Sequence, residues 1–386
     1  MYRGPFAPHE AAHLLRRAAA RGRREEAEDL AALGLAAAVD RLLAPPEPAP
    51  EPELEDDPKA NRGKQHRRLV QSWLEHWLTT STPAAERLTL FWHGHFTSEI
   101  RKVKRARLMW QQNQLFRTLG PGPFPRLLDA VARDPAMLIY LDNAKSRKEH
   151  PNENWGRELL ELFTLGEGHY QEADVMAAAQ AFTGWSVTSP REARRDNKPL
   201  AFTYRPRWHD DRPKPFLGRT VRDGEEVLAV LAEHPQTYRS LAGRLLRFYL
   251  RPDPPEPLVE QGAEVLRSDG AYGFLRWLFT HEAFYAPDVR NALVKSPVEY
   301  LVGLLYVGKT VPERGVARAL IGMGQVPFQP PNVAGWPGGD AWLGDAALLV
   351  RLNLLPGVLD TQSDLSVFMD GGEDAYAAVL PQGQML

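Results

Sequence analysis

Apolar residues recur three or four positions apart through most of the chain, which is the spacing of an α-helix with one buried face. Short polar segments containing glycine or proline separate these stretches. The pattern predicts helices at residues 8–20, 25–43, 64–80, 83–97, 123–133, 135–141, 154–165, 172–182, 224–234, 235–250, 256–268, 271–280, 288–306, 312–322 and 343–355, and one through Met109, Trp110 and Leu115. We therefore expect an all-α fold.

Three segments interrupt the helical pattern. Residues 44–60 are rich in proline and acidic residues, and repeated prolines favour an extended, solvated loop. Residues 186–222 are polar and partly strand-like, which predicts a long loop or a small hairpin. Glycine, proline and tryptophan crowd residues 324–342, so we expect an irregular C-terminal loop there. We predict one helical domain over residues 1–360 and a loose tail over residues 361–386.

Composition narrows the class of protein. The 386 residues are 25% charged and 43% hydrophobic, with a formal net charge of -2, as in an ordinary soluble globular protein. The balanced charge gives no reason to expect nucleic-acid binding. Because the chain has no cysteine, disulfides, thiolate nucleophiles, zinc–thiolate sites and iron–sulfur clusters are excluded.

The sequence gives no indication of a membrane span or of a secretion signal. No apolar run approaches the roughly 18 residues that a bilayer span needs. Arg16 and Arg17 resemble the start of a twin-arginine export signal, but the acidic residues between Glu25 and Asp29 interrupt the apolar stretch that would follow. We take the cytoplasm as the default location and leave export together with a partner open.

Residues 151–166 carry more polar and acidic groups than a packing helix requires. Asn152 or Asn154 can cap this helix. At about 100° per residue, Asn154, Glu158 and Glu161 share one side of the helix. Two interpretations are open: a solvated polar face, or two carboxylates that point into a cavity and hold a metal ion or act as acid and base.

His93 and His95 flank Gly94 at the end of a predicted helix. A continuous helix would direct the two imidazoles about 160° apart, whereas a helix that relaxes at Gly94 would direct both to one centre. His-x-His is a frequent spacing of metal ligands. The alternatives are hydrogen bonding inside a tryptophan-lined core and, more weakly, axial ligation of a haem.

His209 lies in the long central loop beside Asp210, with Lys214 nearby. A histidine next to carboxylates can act as a general base or a metal ligand. The alternative is a loop that these side chains anchor to the helical body.

Two further groups are candidates for contact with a substrate or a partner. Arg101, Lys104 and Arg105 belong to a dense basic stretch that suits either an anion-binding wall or a solvated helix face. Trp336 and Trp342 can stack on a sugar or a partner chain, or pack over the end of the helical body. The chain has no nucleophile elbow, Walker A loop, dinucleotide fingerprint or H-E-x-x-H pair, so nucleotide use and familiar hydrolase chemistry have no support.

Four blocks in order along the chain together resemble the bacterial domain of unknown function 1800 family. They are residues 91–96 (FWHGHF), 151–166 with 174–175 and 181–185, 209–218 (HDDRPKPFLG), and 293–299 (LVKSPVE) with 330–339 and Trp342. The resemblance implies a largely helical, single-domain bacterial protein, often encoded beside a domain of unknown function 1501 protein, which resembles sulfatases and alkaline phosphatases. It implies no catalytic mechanism. The family commonly has glycine where Arg212 stands.

These observations give one leading functional hypothesis, a site between the His block, the central helix and the His209 loop. A divalent metal ion would be held by His93, His95, Glu158 and Glu161. Acid and base roles would fall to Glu158, Glu161 and His209, with Asn154 orienting them. Ligand or partner contacts would come from Arg101, Lys104, Arg105, Lys214, Trp336 and Trp342. The function predicted for such a site is metal-assisted hydrolysis of an anionic or carbohydrate-like substrate. The alternative hypothesis is that this protein is a non-enzymatic binding partner of the sulfatase- or phosphatase-like neighbour.

Overall fold

Helices form most of the regular structure, as the apolar spacing predicts. The computed structural model describes residues 1–55, 61–195, 199–308 and 315–355. Within these residues the α-helices are α1 Pro8–Ala19, α2 Arg24–Leu33, α3 Leu35–Leu42, α4 Arg62–Thr79, α5 Pro83–His95, α6 Ile100–Val103, α7 Ala106–Leu119, α8 Phe124–Ala132, α9 Pro135–Tyr140, α10 Glu153–Glu161, α11 Glu172–Ala181, α12 Pro190–Arg195, α13 Gly224–Glu233, α14 Pro235–Tyr249, α15 Glu256–Phe279, α16 Pro297–Gly308, α17 Val316–Met323 and α18 Asp345–Leu354.

Two small antiparallel sheets lie in the predicted loop or hairpin region. Strand β1 Trp185–Val187 pairs with β2 Phe202–Tyr204, and β3 Lys214–Phe216 pairs with β4 Arg219–Val221. The turn of the second hairpin is Leu217-Gly218, where both residues have positive φ (46° and 75°), as two-residue hairpin turns favour. The Leu217 N–H donates to the Asp174 carboxylate at 2.8 Å, which ties this turn to α11.

Two glycines explain where helices break. Gly34 has φ 79° and separates α2 from α3, so the predicted continuous helix over residues 25–43 is wrong at this position. Gly270 has φ 70° and ψ -172° inside α15, close to the predicted gap between residues 268 and 271. An added Cβ at Gly270 would lie 2.7 Å from the carbonyl carbon and oxygen of Gly122, so only glycine fits this kink.

The predicted helix over residues 288–306 begins only at Pro297. Proline suits the first helical position because its missing N–H has no intrahelical acceptor there. The preceding segment is held by tertiary contacts instead, since the buried Arg17 guanidinium donates to the carbonyls of Val289 and Arg290 at 2.7 and 3.4 Å. The prediction of a helix over residues 288–306 is therefore wrong for residues 288–296.

Buried apolar side chains from Ala11 to Ala347 form one continuous cluster. Five of its members are fully buried tryptophans, and such large aromatic surfaces contribute strongly to a core. They are Trp73, Trp77, Trp92, Trp110 and Trp155.

A charged network lies inside this core between α5 and α7. Arg117 and Glu86 are both completely buried and form a bidentate pair with two contacts of 2.6 Å. The indole N–H of Trp73 donates to Glu86 at 2.8 Å, and Asn113 accepts from Arg117 at 2.8 Å. The carboxylate therefore keeps hydrogen-bond partners despite its burial, as a buried charge must.

Some predictions lie outside the described residues: the loose tail over residues 361–386, and residues 56–60, 196–198 and 309–314 of the predicted loops and helices. Among the helices that the structure does describe, none combines the length and the apolar character needed to cross a bilayer.

Candidate functional site

The His block lies on a helix that does not relax at glycine. Helix α5 continues through Gly94 to His95, so the two imidazoles point in different directions, as helical geometry requires. His93 is 1% exposed, and its Nε2 accepts a hydrogen bond from the Phe328 N–H at 2.8 Å. Its ring packs against Trp73, Phe328 and Trp336 with centroid distances of 5.1 to 5.5 Å.

His95 has a different set of contacts. Its Nε2 lies 3.2 Å from the Phe163 carbonyl oxygen, so this nitrogen carries the proton and donates. The ring stacks on Phe91 at 5.9 Å. Burial, and next Arg244, keep the pKa of His95 well below its usual range. Both histidines thus hydrogen-bond within an aromatic core, which is the structural alternative to metal binding.

The acidic side chains of the central helix are adjacent but are not enclosed. Asn152 is the cap and accepts from the Trp155 N–H at 3.3 Å, while Asn154 is exposed and orients no buried group. Burial, followed by the charge of Glu161, raises the pKa of the half-buried Glu158. Glu161 accepts a hydrogen bond of 2.6 Å from the Tyr170 hydroxyl.

The His209 loop is anchored internally. His209 donates through Nδ1 to the Thr183 carbonyl at 2.9 Å. Lys214 is buried, and its ammonium group donates to the carbonyls of Asp210, Arg212 and Arg222 at 2.5 to 3.0 Å. Because these carbonyls take up its donors, Lys214 is not placed to contact a ligand, and the prediction of such a contact is not supported.

Arg212 is part of the same anchor. Its guanidinium makes a bidentate pair with Asp210, at 2.9 and 2.6 Å. These bonds lower the pKa of the Asp210 carboxyl to about 2. Arginine at this position therefore has a local structural role in the loop.

The structure does not gather the predicted metal ligands into one group. Within residues 1–55, 61–195, 199–308 and 315–355, no three His, Asp or Glu side chains are arranged to hold a metal ion. His93, His95 and Glu161 instead bond to Phe328, Phe163 and Tyr170. The shared site of His93, His95, Glu158 and Glu161 is thus unsupported by this arrangement.

The buried His93 makes the stability depend on pH. Burial lowers its pKa to about 3, below the value of about 6.5 in an unfolded chain. The neutral imidazole therefore stabilises the fold fully above about pH 6.5, and this contribution falls by up to ~1.4 kcal/mol per pH unit as the pH drops toward 3. We expect urea unfolding from pH 7 to pH 4 to show a shallower decline for His93→Gln, which retains an acceptor for Phe328. If the free energy of unfolding of the wild type and of His93→Gln fell equally with pH, the role given to His93 would be contradicted.

The basic stretch after the His block is on the surface. Arg101 and Lys104 are exposed, Arg105 is half-buried, and Arg101 pairs with Glu99 at 2.8 Å. None of the three lines the cavity of about 540 Å³ between α1, α5 and α14. This placement favours the solvated-face alternative over an anion-binding wall.

A cavity of about 540 Å³ lies elsewhere, between α1, α5, α14, the segment before α16 and the C-terminal loop. Its carboxylates are Glu299 and Asp340, and cations outnumber them. The cations are Arg16, Arg17, Arg87, Arg244, Arg247, Arg290 and Lys295. Glu299 is already paired with Arg87 at 2.6 Å, so the wall keeps an excess of positive charge.

Arg244 and Arg247 stand one turn apart on α14 and therefore share a face. Arg244 is half-buried and Arg247 is exposed. Neither guanidinium has a hydrogen-bond or ion-pair partner among the described residues. Burial, and next the like charge of Arg247, lower the pKa of Arg244. We name these two residues the α14 arginine pair.

Lys295 lies at another part of the cavity wall, half-buried beside other cations. Burial is the main cause, and Arg16 the next, of a pKa of about 8 for its ammonium group. Arg87 and Arg17 contribute in the same direction, while Glu299 opposes them. Like charges on this part of the wall therefore lower the pKa of the amine further than burial alone.

The C-terminal loop contributes aromatic side chains to the cavity wall. Trp336 is half-buried and Trp342 is 5% exposed, and both line the cavity. The loop approaches α5 closely, since a Cβ at Gly335 (φ 88°) would lie 2.5 Å from the Gly94 carbonyl oxygen. The two tryptophans therefore lie where either packing or ligand contact is feasible.

A second cavity of about 470 Å³ adjoins the first. Arg244, Arg247 and Pro252 line both cavities. The second one also contains Glu167, Asp253 and Glu256, which equal in number its three arginines, Arg239, Arg244 and Arg247. The α14 arginine pair therefore stands at the junction of a basic cavity and a neutral one.

Sequence reasoning missed this basic cavity. Its cations come from four separate segments, and each one taken singly resembles an ordinary surface charge. One local indication existed: Lys295 follows Leu293 and Val294 directly and stands in one of the four blocks that carry the family resemblance. A lysine in such an apolar setting is a candidate for burial.

Comparison with known proteins gives the family but no function. Neither the curated proteins nor the solved structures contain a significant match to this chain. A family model matches residues 13–382, which is nearly the whole sequence, and its description is "Protein of unknown function (DUF1800)". The chain belongs to this family.

Proposed function

We propose that this protein binds a small anionic ligand in the 540 Å³ cavity. The observation that carries the proposal is the α14 arginine pair, two like charges without a counter-ion in the described structure. Guanidinium groups recognise phosphate, sulfate and carboxylate through paired N–H donors. The cavity volume is that of a typical small-molecule site.

The residues that line the cavity suit a ligand that has an uncharged part as well as an anionic group. Phe91, Phe248, Trp336 and Trp342 give it extensive aromatic surface, which suits the face of a sugar or another ring. An anionic, carbohydrate-like compound was also the substrate class expected from the sequence. The proposed site differs, however, because the ligand would bind the α14 arginine pair. Of the four predicted metal ligands, His95 lines this cavity, whereas His93, Glu158 and Glu161 do not.

Association with a sulfatase- or phosphatase-like neighbour stays a prediction from the family resemblance. Ligand binding and such a partnership are compatible, because a protein that holds an anionic compound can serve an enzyme that acts on one. The proposal itself concerns binding and includes no reaction step.

Replacing both members of the α14 arginine pair is expected to weaken anion binding at least tenfold. A hydrogen bond to a charged group contributes about 1.5–3 kcal/mol, and about 1.4 kcal/mol corresponds to a factor of ten. The measurement is calorimetric titration of inorganic phosphate into the wild type and into Arg244→Met/Arg247→Met at low ionic strength.

Arg239→Met is the matched control on the same helix. The Arg239 guanidinium pairs with Glu256 and Glu260, so its loss should leave phosphate affinity unchanged. Equal phosphate affinity in the wild type and the double variant would overturn the proposed site.

A further inference from the structure

Residues 356–386, which follow the described part of the chain, are strongly acidic; we call them the acidic segment. They include five carboxylates and no lysine, arginine or histidine, so their net charge is -5, whereas the whole chain carries -2. The carboxylates are Asp360, Asp364, Asp370, Glu373 and Asp374. The family model matches the chain as far as residue 382, so most of the acidic segment lies within the region that the family model covers.

Helix α18 brings the start of this segment to the basic cavity. The helix begins three residues after Trp342, which lines the cavity. One turn before the helix ends, the guanidinium of the buried Arg351 donates to the Lys295 carbonyl at 2.9 Å, and the Arg351 carbonyl accepts from the Tyr300 hydroxyl at 2.9 Å. Lys295 lines the same cavity. The chain therefore enters the acidic segment beside the cavity wall.

The first carboxylates of the segment can reach across the cavity. Asp360 is five residues beyond Leu355, the last described residue, and Asp364 is nine beyond it. Because an extended chain spans up to about 3.3–3.6 Å per residue, the limits of reach are roughly 17 Å for Asp360 and roughly 30 Å for Asp364. The α14 arginine pair and Lys295 line one cavity of about 540 Å³, so these spans are long enough to join them.

The α14 arginine pair is the group that this segment complements. Within the described ranges neither guanidinium has a hydrogen-bond or ion-pair partner, although Arg239 on the same helix is paired with Glu256 and Glu260. Arg244 is also half-buried, and a charge removed from water needs a partner. A carboxylate supplies one, since it accepts two parallel N–H donors from a guanidinium.

We infer that the acidic segment occupies the cavity as an internal ligand, with one of its carboxylates bound to the α14 arginine pair. The inference rests on the proposed anion site and adds regulation to it, because a free anion then binds only by displacing the segment. Covalent attachment gives the segment an effective concentration on the order of millimolar at the cavity. A weak anion is therefore excluded, whereas a tightly bound ligand releases the segment.

Neutralising the segment in the full chain tests this inference. The variant Asp360→Asn/Asp364→Asn/Asp370→Asn/Glu373→Gln/Asp374→Asn, called the neutral-segment variant, keeps the size of each side chain and removes its charge. We expect it to bind inorganic phosphate at least about threefold more tightly than the wild type, because an internal competitor has been removed. The measurement is calorimetric titration at low ionic strength.

The control variant changes the net charge by the same amount at other positions. It is Glu25→Gln/Asp29→Asn/Glu153→Gln/Glu264→Gln/Asp269→Asn, and all five side chains are exposed and line neither cavity. Its phosphate affinity should remain that of the wild type. If the control gains as much affinity as the neutral-segment variant, the effect comes from net charge and the inference is wrong.

A peptide added in trans locates the contact. A synthetic peptide of residues 356–374 should bind the neutral-segment variant and compete there with phosphate, whereas the same peptide with its five acids replaced by amides should not. Adding Arg244→Met/Arg247→Met to the neutral-segment variant should abolish peptide binding. Thermal unfolding of each variant shows whether it is folded. Peptide binding that persists without the α14 arginine pair would overturn the contact.

The two proposals fail in different ways. If phosphate binds the wild type and the neutral-segment variant equally and depends on Arg244, the anion site stands and the internal ligand is wrong. If neither phosphate nor the peptide binds any of these proteins, both proposals are wrong. A phosphate affinity of the wild type that falls as the protein concentration rises would place the segment in the cavity of a second copy, which contradicts an internal contact.

Discussion

Replacing Arg117 with methionine is expected to lower the free energy of unfolding by about 3–5 kcal/mol, the usual cost of removing one partner of a buried ion pair. The remaining carboxylate of Glu86 is 0% exposed. It would keep its 2.8 Å hydrogen bond from Trp73 but lose both contacts of 2.6 Å to the guanidinium. Chemical denaturation followed by tryptophan fluorescence gives the change.

Two variants serve as controls for Arg117→Met. Arg276→Met removes an exposed pair with Asp40 and should leave stability nearly unchanged, because such pairs contribute little. The double variant Glu86→Met/Arg117→Met removes both charges and should recover part of the loss. A double variant that is less stable than Arg117→Met would show that the carboxylate is stabilised by its other partners.

Gly270→Ala is the second substitution with a large expected effect on stability. A backbone conformation that only glycine adopts readily costs about 1–3 kcal/mol in other residues, and overpacking adds ~1–3 kcal/mol. The added methyl group would meet backbone atoms, namely the carbonyl of Gly122 at 2.7 Å and the nitrogen of Pro123 at 2.9 Å. The N–H groups of Ala271 and Tyr272 donate to this same loop, so relief of the clash disturbs these bonds.

Gly34→Ala is the matched control for the kink. Gly34 has similar backbone angles, φ 79° and ψ 160°, but no atom lies within 4 Å of the position of an added Cβ. The loss of stability in Gly34→Ala measures the conformational cost alone. The additional loss of stability in Gly270→Ala measures the cost of the clash. Equal losses of stability in both variants would show that the loop at Gly122 moves away without cost.

The sequence was a good guide to the helices but an uneven one to their interruptions, since the break near Gly270 was predicted and the one at Gly34 was not. Periodic apolar positions predict α14 and α15 well because burial of one face is a local property of the sequence. The non-helical start before Pro297 was missed, since the carbonyls of Val289 and Arg290 are used by Arg17, more than 270 residues away. No local pattern reveals a partner that distant.

The candidate site was less predictable for a related reason. His-x-His and paired glutamates attract notice because they are adjacent in sequence, yet the helix carries His93 and His95 to different partners. The basic cavity joins Arg16, Arg244 and Lys295, which the chain separates widely. The cavity can therefore be found only in the tertiary structure.

The wide separation of these residues has a consequence for synthesis. The cavity needs Arg16 and Arg17 from α1 together with Trp336 and Trp342 from the C-terminal loop. A nascent chain therefore has no complete cavity until the C-terminal loop with Trp342 has left the ribosome. Contacts so distant in sequence form late, after the local helices. A ligand of this cavity can stabilise the finished fold but cannot assist the first half of the chain as it emerges.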